Sequence, residues 1–286
     1  DAILPAMSGT DFVGILANGK MFRGNANSKG QNHWFETDTY SLDYSLVTSN
    51  HQMVKGSFSG SDWNQDEYES YVNRSKEKLS LMERKPIKIK TGDYRTWFES
   101  AAVSDFLGMF SWNGISEASL RQGCSGFGKM RHNDARLSPK FSVIEDFSPG
   151  YCPKFNSDGE VAPDELALIE AGKLKNTLIS SRSAKEYGLQ SNYAENGEFL
   201  RSPRMAIGNL NQNDVVKELD RGLFLSNIHY LNWSDNPGGR ITGLTRYACF
   251  WVEGGEIVAP IETMRFDDSF YRFFGDQLSE VEDRLY

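Results

Sequence analysis

The stretch Ile228–Pro260, IHYLNWSDNPGGRITGLTRYACFWVEGGEIVAP, concentrates the side chains that could carry chemistry. It holds one of the four histidines and one of the three cysteines of the chain, together with two arginines. A cysteine beside a histidine can act as nucleophile and base, whereas two guanidinium groups in one cleft can bind a carboxylate. The placement of these residues along the predicted strands decides between the two chemistries.

Two strands are predicted here, LFLSNIHYLNW and RITGLTRYACFWV, joined by the turn sequence SDNPGG. Pairing Trp233 with Arg240 places His229 opposite Leu244. Cys249 then lies about 17 Å further along the strand, at ~3.3 Å per residue, and on the opposite face of the sheet. Because a nucleophile–base pair needs about 3 Å between its partners, the pattern favours a buried Cys249 and a hydrogen-bonded His229 over a catalytic dyad.

Arg240, Thr242 and Arg246 have the same parity in the second predicted strand and therefore share a face. Their side chains could accept a peptide carboxylate in one cleft. Structural salt bridges are the favoured alternative for these arginines, since the chain has 39 acidic residues. Both interpretations stay open, and His229 joins these three as a candidate binding residue.

Potential metal ligands are few and scattered. The other histidines and the cysteines are His33, His51, His132, Cys124, Cys152 and Cys249. The histidines show no HxxxH-type spacing and no two cysteines form CxxC, so we expect no locally encoded zinc site and no cofactor in this chain. GxSxG and GxxxxGK[ST] motifs are also missing from the sequence, and no catalytic residue is assigned.

Charge and composition exclude several classes of partner. A net charge of −8 and a pI near 5.2 disfavour nucleic acid, whose phosphates are bound mainly by Lys and Arg. No apolar run approaches the ~20 residues needed to cross a bilayer, so no membrane association is expected. Three scattered cysteines favour a reducing, cytoplasmic location. The chain begins at Asp1 rather than Met, as expected of a processed product or a fragment.

The periodicity of the chain predicts an α+β fold, mostly antiparallel β-sheet with a few helices. Alternating residues in the first 60 positions indicate a β-meander with a turn at Asn18-Gly19. The next segment has the 3.6-residue period of a surface helix, with Ser61 or Asp62 as its N-cap. The meander and this helix form a predicted first unit over residues 1–85.

Residues 86–286 form the second predicted unit, which is rich in β-strands. It contains the helical segment SAAVSDFLGMFSW (Ser100–Trp112), which is apolar almost all round and is therefore expected to be buried. The unit closes on an acidic tail, GDQLSEVEDRLY, that is predicted to be helical.

The segment Leu223–Tyr271, which contains both predicted long strands, resembles the C-terminal signature of the TldD/PmbA family, also called modulators of DNA gyrase. LIEAGKLKNTLISSRSAKEYG and RSPRMAIGNL are similar to upstream stretches of that family. The resemblance extends from about residue 11 to residue 272. Family members are usually longer, so the chain is expected to lack part of an N-terminal α/β segment and some C-terminal strands.

This resemblance implies a role in intracellular proteolysis and peptide maturation. In the family, a TldD subunit carries a helical HExxxH zinc motif and pairs with a TldE/PmbA subunit that lacks it. The matching helix here places Ser100 and Asp105 at the histidine positions and Ala101 at the glutamate position. Residues 52–131 contain no histidine, so the resemblance implies the zinc-free type, with zinc only in a TldD-like partner.

Three functions are compatible with these observations. The leading hypothesis is a non-catalytic subunit of a metallopeptidase complex, with a peptide substrate and either a TldD-like subunit or a second copy of the chain as partner. The alternatives are an independent hydrolase whose site joins His229, Asp235 and Cys249, and a peptide-binding module without a partner enzyme.

Overall fold

The computed structural model describes residues 2–283, over which twelve strands form three sheets. The strands are β1 Asp11–Ala26, β2 Asn32–Val47, β3 Met53–Gly60, β4 Thr96–Phe98, β5 Val143–Asp146, β6 Glu165–Glu170, β7 Lys173–Leu174, β8 Pro203–Met205, β9 Gly222–Asp235, β10 Arg240–Glu253, β11 Glu256–Pro260 and β12 Arg265–Ser269. The α-helices are α1 Ile3–Met7, α2 Gln65–Met82, α3 Ser100–Gly108, α4 Glu117–Arg121, α5 Gly128–Arg131, α6 Ser181–Tyr187, α7 Val215–Leu219 and α8 Phe270–Phe273. Among the described strand pairs only β4–β9 is parallel, and the predicted α+β class with mostly antiparallel sheet is confirmed.

The first sheet is an antiparallel meander in the order β1-β2-β3. Leu42, Tyr44 and Leu46 alternate along β2 and are buried, as their spacing predicts. The predicted turn at Asn18-Gly19 is wrong, because β1 runs through it and pairs Asn18 with Tyr40 and Gly19 with Thr39. The uninterrupted ladder satisfies the backbone hydrogen bonds of both strands, which outweighs the local turn preference of Asn-Gly.

Helix α2 packs against this meander and is the only long helix in residues 2–283. Its predicted apolar stripe is correct, since Tyr68, Val72 and Met82 are buried. The predicted N-cap is wrong, because the side chain of Asn64, which directly precedes the helix, accepts the hydrogen bond from the backbone N–H of Glu67.

The second sheet has the order β11-β10-β9-β4, with β12 on the same edge of β10 as β11. One buried cluster joins this sheet to the meander and α2. It includes Leu42, Tyr44, Leu46, Val54, Tyr68 and Val72 from the N-terminal part and Phe224, Ala248, Phe250 and Val252 from the hairpin. A shared core therefore crosses the predicted boundary between residues 1–85 and 86–286.

Helix α3 differs from its prediction as a fully buried helix. Ala102 and Phe106 enter the main core beside β9, whereas Ala101, Ser104 and Asp105 are exposed. The helix is therefore amphipathic, with its small and polar residues on the solvent side.

The C-terminal tail is also different from the prediction. Residues 275–283 contain no helix, and Leu210 forms a parallel bridge with Glu282 instead. The last three residues of the predicted tail helix lie outside the described residues. Within residues 2–283, no helix is both long and apolar enough to span a membrane.

The third sheet has the order β7-β6-β5-β8. The main core, which contains Phe110, Phe127, Phe141 and Phe270, lies between it and the β9–β10 hairpin. These phenylalanines pack edge to face or tilted, so the hairpin rests on a densely aromatic base.

Candidate functional site

The β9–β10 hairpin carries the candidate residues and contains several irregularities in its register. His229 pairs with Leu244 as predicted, but Trp233 pairs with Ile241 rather than Arg240 because Arg240 lies opposite Asp235. Register shifts follow at Thr242/Leu244 and at Arg246/Cys249. Bulges of this kind re-aim side chains and occur often next to functional sites.

Two of the strand residues at these shifts have a left-handed backbone. Tyr230 has φ of 50° and Tyr247 has φ of 63°, conformations that are costly for a bulky aromatic residue. The ring of Tyr230 contacts that of His229 at a centroid distance of 4.1 Å, and the guanidinium of Arg246 lies 4.8 Å from the ring centroid of Tyr247. Each strained tyrosine therefore packs against a candidate binding residue.

The side chains of Arg246 and His229 meet on one face of the hairpin. Nη1 of Arg246 lies 2.7 Å from Nδ1 and 2.9 Å from Nε2 of His229. A guanidinium can only donate, so the ring nitrogen that accepts belongs to a neutral imidazole. Within residues 2–283, the guanidinium of Arg246 has the rings of His229 and Tyr247 as its neighbours, and no carboxylate forms an ion pair with it.

Arg246 borders a cleft of about 340 Å³ between the N-terminal meander and the hairpin. One side is formed by the β2–β3 turn and Pro86, and the other by β10 and the connection that follows β11. The lining residues are His51, Gln52, Met53, Pro86, Thr245, Arg246, Tyr247, Cys249, Ile261, Glu262 and Thr263. Sequence patterns did not indicate His51 or Glu262, because segments far apart in the chain meet only when the meander packs on the hairpin.

Arg240 and Thr242 lie elsewhere, against β12. Nη2 of Arg240 is 2.7 Å from Oδ1 of Asp267, which also pairs with Arg265. The hydroxyl of Thr242 donates to the carbonyl of Phe266 at 3.2 Å. The structure thus brings Arg246 and His229 together. Arg240 instead forms a salt bridge, which was the structural alternative to carboxylate binding.

Helix α3 carries the positions that the family resemblance aligns with a zinc motif, and it lies next to the same hairpin. It packs along β9, and Asp105 lies on its exposed side. Desolvation by neighbouring protein atoms raises the pKa of the Asp105 carboxyl, while nearby His229 and Lys55 pull that pKa down. Asp105 and His229 are therefore close enough to interact electrostatically.

The donor set of these positions does not fit zinc. Ser100 offers a neutral hydroxyl, Ala101 only a methyl group and Asp105 a single carboxylate, whereas protein zinc sites use several imidazole, thiolate or carboxylate ligands. Across residues 2–283, no three His, Cys, Asp or Glu side chains are arranged to hold a metal ion.

The three residues of the alternative hydrolase site are apart. Cys249 pairs with Leu225 and His229 with Leu244, which separates them by four positions of β9, about 13 Å at ~3.3 Å per residue. The thiol of Cys249 is 3.1 Å from the carbonyl oxygen of Arg246, and burial raises its pKa to about 11. Asp235 lies at the far end of β9, so these side chains cannot act on one bond.

Comparison with solved structures shows which class of fold this is. TldE from Thermococcus kodakarensis superposes with a TM-score of 0.75 at 18% identity, covering 99% of this chain and 66% of its own. A candidate modulator of DNA gyrase from Thermotoga maritima gives 0.75 at 18% identity, covering 92% and 62%. Another from Bacteroides thetaiotaomicron gives 0.76 at 14% identity, covering 96% and 63%. The protein has the fold of this class and spans 62–66% of the length of these structures.

The family follows from the sequence itself. Residues 91–286 match the domain described as the PmbA/TldA metallopeptidase C-terminal domain. The chain therefore belongs to the PmbA/TldD family of metallopeptidase-like proteins. A comparison with curated proteins gave no significant match.

Proposed function

We propose that this chain is the zinc-free type of subunit in a metallopeptidase complex, where it completes a peptide cleft for a related, zinc-bearing partner in proteolysis or peptide maturation. The observation that carries the proposal is the composition of the start of α3. Ser100, Ala101 and Asp105 stand where the family resemblance puts two ligand histidines and a catalytic glutamate, and they cannot reproduce zinc-hydroxide chemistry.

The exposed edge of the meander supports peptide binding. Among the strands of residues 2–283, β1 pairs with β2 alone, and it is exposed along almost its entire length. An extended peptide can add to such an edge through main-chain hydrogen bonds. Large apolar side chains such as Val13 and Ile15 are exposed there, at 66% and 74%, and offer contacts for alternate residues of a bound strand.

Co-purification with metal analysis tests the proposal. The tagged chain is isolated from its native cells, and native mass spectrometry and elemental analysis are applied to the complex and to the chain alone. We expect a related subunit with an HExxxH motif at equal stoichiometry, and zinc in the complex but not in the isolated chain. One tightly held zinc per isolated chain, lost on His229→Ala or Cys249→Ala substitution, would show the proposal to be wrong.

Peptide-binding and peptide-cleavage assays on the purified chain, added to the co-purification, separate the alternatives. A peptide-binding module acting alone would bind peptide but bring down no related subunit. An independent hydrolase would cleave peptide as the purified chain, insensitive to chelators and sensitive to a cysteine alkylator. The separation of Cys249, His229 and Asp235 gives that last alternative no support.

A further inference from the structure

We infer that the cleft beside Arg246 binds the C-terminal residue of a peptide, with the free carboxylate held by the Arg246 guanidinium. This inference rests on the proposed function and deepens it, because it names the part of the peptide that this chain recognises. It draws on the charge of Arg246, the size of the cleft and the nature of its walls.

The charge of Arg246 is the first observation. The residue is half-buried, and its nearest polar side chain is the neutral imidazole of His229. Charged groups removed from water are normally paired. Two more exposed arginines of the same region each have a carboxylate partner, Arg240 on Asp267 and Arg221 on Glu253. Arg246 lacks such a partner within residues 2–283, and a ligand carboxylate matches its planar fork of donors.

The size and walls of the cleft are the second observation. Its volume of about 340 Å³ is at the lower end of the ~300–1,000 Å³ typical of ligand pockets, which is room for one or two amino-acid residues. Met53, Pro86 and Ile261 contribute apolar side chains to the lining, and Thr263 adds a hydroxyl. These walls suit an apolar terminal side chain beside a carboxylate.

The other charges near the cleft argue for a carboxylate over a phosphate. Glu262 lines the same cleft, and Asp105 lies near His229. Their carboxylates repel a dianion more strongly than a singly charged group, because Coulomb energies scale with the product of the charges. Lys55 also lies near Asp105, but it forms an ion pair with Asp43, with its Nζ 3.1 Å from Oδ2 of that residue. The charges around the cleft therefore favour a ligand group with a single negative charge next to Arg246.

The test is calorimetric titration of the whole chain with the tripeptide Gly-Gly-Leu and with the same tripeptide as its C-terminal amide. We expect the amide to bind at least about tenfold more weakly, and Gly-Gly-Asp to bind more weakly than Gly-Gly-Leu. Arg246→Gln should weaken binding of Gly-Gly-Leu by at least about tenfold and abolish the preference for the free carboxylate. Arg221→Gln is the matched control, since Arg221 also stacks on an aromatic ring, that of Trp251, but lies outside the cleft lining.

Several results would overturn the inference. They are no binding of Gly-Gly-Leu, equal binding of acid and amide, unchanged binding by Arg246→Gln, and inorganic phosphate bound as tightly as the tripeptide, which would indicate a small-anion site. The comparison of acid with amide uses the unmodified chain, so it decides the matter even if the variant does not fold. The partner and zinc measurements are independent of these titrations, and the failure of one proposal can be told from that of the other.

Discussion

His229 and Arg246 are diagonal neighbours across the β9–β10 hairpin, with Nδ1 of the imidazole 2.7 Å from Nη1 of the guanidinium. His229 pairs with Leu244, and Arg246 lies two residues further along the same face. Diagonal side chains of this kind are within reach of each other in antiparallel sheets. The imidazole thereby orients the guanidinium without neutralising it.

Removing the acceptor on His229 tests that positioning role. We expect His229→Leu to weaken binding of Gly-Gly-Leu about fivefold, because loss of the hydrogen bond that orients Arg246 should cost about 1 kcal/mol of binding free energy. His229→Gln keeps an acceptor at similar reach and should stay within about twofold of the unmodified chain. Calorimetry at neutral pH measures both, with thermal unfolding to check that each variant folds. Equal losses in the two variants would contradict a positioning role.

Glu117 is expected to control stability in acid. It is only 2% exposed and receives two hydrogen bonds from Arg131, at 2.6 and 2.8 Å, and one each from Arg121 and Thr177. Burial raises the pKa of Glu117, but these hydrogen bonds outweigh it and lower that pKa to about 2 from an ordinary 4.5. Since the folded-state pKa lies below the unfolded one, the stabilisation is complete above the ordinary value and is lost as pH falls towards 2.

Glu117→Gln should therefore lower the free energy of unfolding by about 2 kcal/mol near neutral pH. The difference from the unmodified chain should shrink once the pH falls below 4.5. Urea unfolding at neutral and acid pH measures both values. Glu170→Gln, which removes an exposed ion pair with Lys175, is the control and should cost at most about 0.5 kcal/mol. A Glu117→Gln penalty that does not change with pH would be inconsistent with this account.

Glu198 ties two helix starts together. One carboxylate oxygen accepts hydrogen bonds from the hydroxyl of Ser116 and the N–H of Ala118, and the other accepts from the N–H and hydroxyl of Ser180. Ser116 and Ser180 are the N-caps of α4 and α6. A single buried carboxylate thus connects the loop at 198 to both helices.

Glu198→Gln should destabilise the chain by about 2–4 kcal/mol, because the new amide group points a donor at existing donors. Equilibrium urea unfolding measures the change. The exposed Glu186 of α6 provides a matched control, and Glu186→Gln should stay within about 0.5 kcal/mol. A Glu198→Gln effect no larger than that of the control would mean that the four hydrogen bonds do not act together.

Local pattern was sufficient to predict much of this fold. Burial of one face imposes a regular spacing of apolar residues. The meander was predicted from the alternation of Leu42, Tyr44 and Leu46, and α2 from the helical spacing of Tyr68 and Val72. The predicted pairing of His229 with Leu244 is correct although the Trp233–Arg240 pairing from which it was counted does not form, because register shifts along the hairpin restore the predicted register by Leu244. The turn predicted at Asn18-Gly19 is wrong because the long β1–β2 ladder outweighs the turn preference of Asn-Gly. The predicted N-cap of α2 is wrong because the side chain of Asn64 is better placed to accept the hydrogen bond.

The cleft could not be predicted in the same way. His51 and Glu262 approach Arg246 only because the meander and the hairpin share one core, and no local pattern encodes that packing. The contact between His229 and Arg246 could have been predicted from the sequence, since the predicted register already made them diagonal neighbours. The bulges at Tyr230 and Tyr247 carried no sequence signal, because a non-glycine residue rarely adopts positive φ.

Cys249 is expected to be chemically silent, which separates the proposed function from an independent cysteine hydrolase. It is 2% exposed, and its pKa of about 11 leaves about a thousandth of the thiol as reactive thiolate near pH 8. Cys124 is exposed. With iodoacetamide near pH 8, mass spectrometry of peptides should show Cys124 fully modified while Cys249 remains free, and Cys249 should react only in urea. Modification of Cys249 as fast as Cys124 in the folded chain would reopen the hydrolase hypothesis.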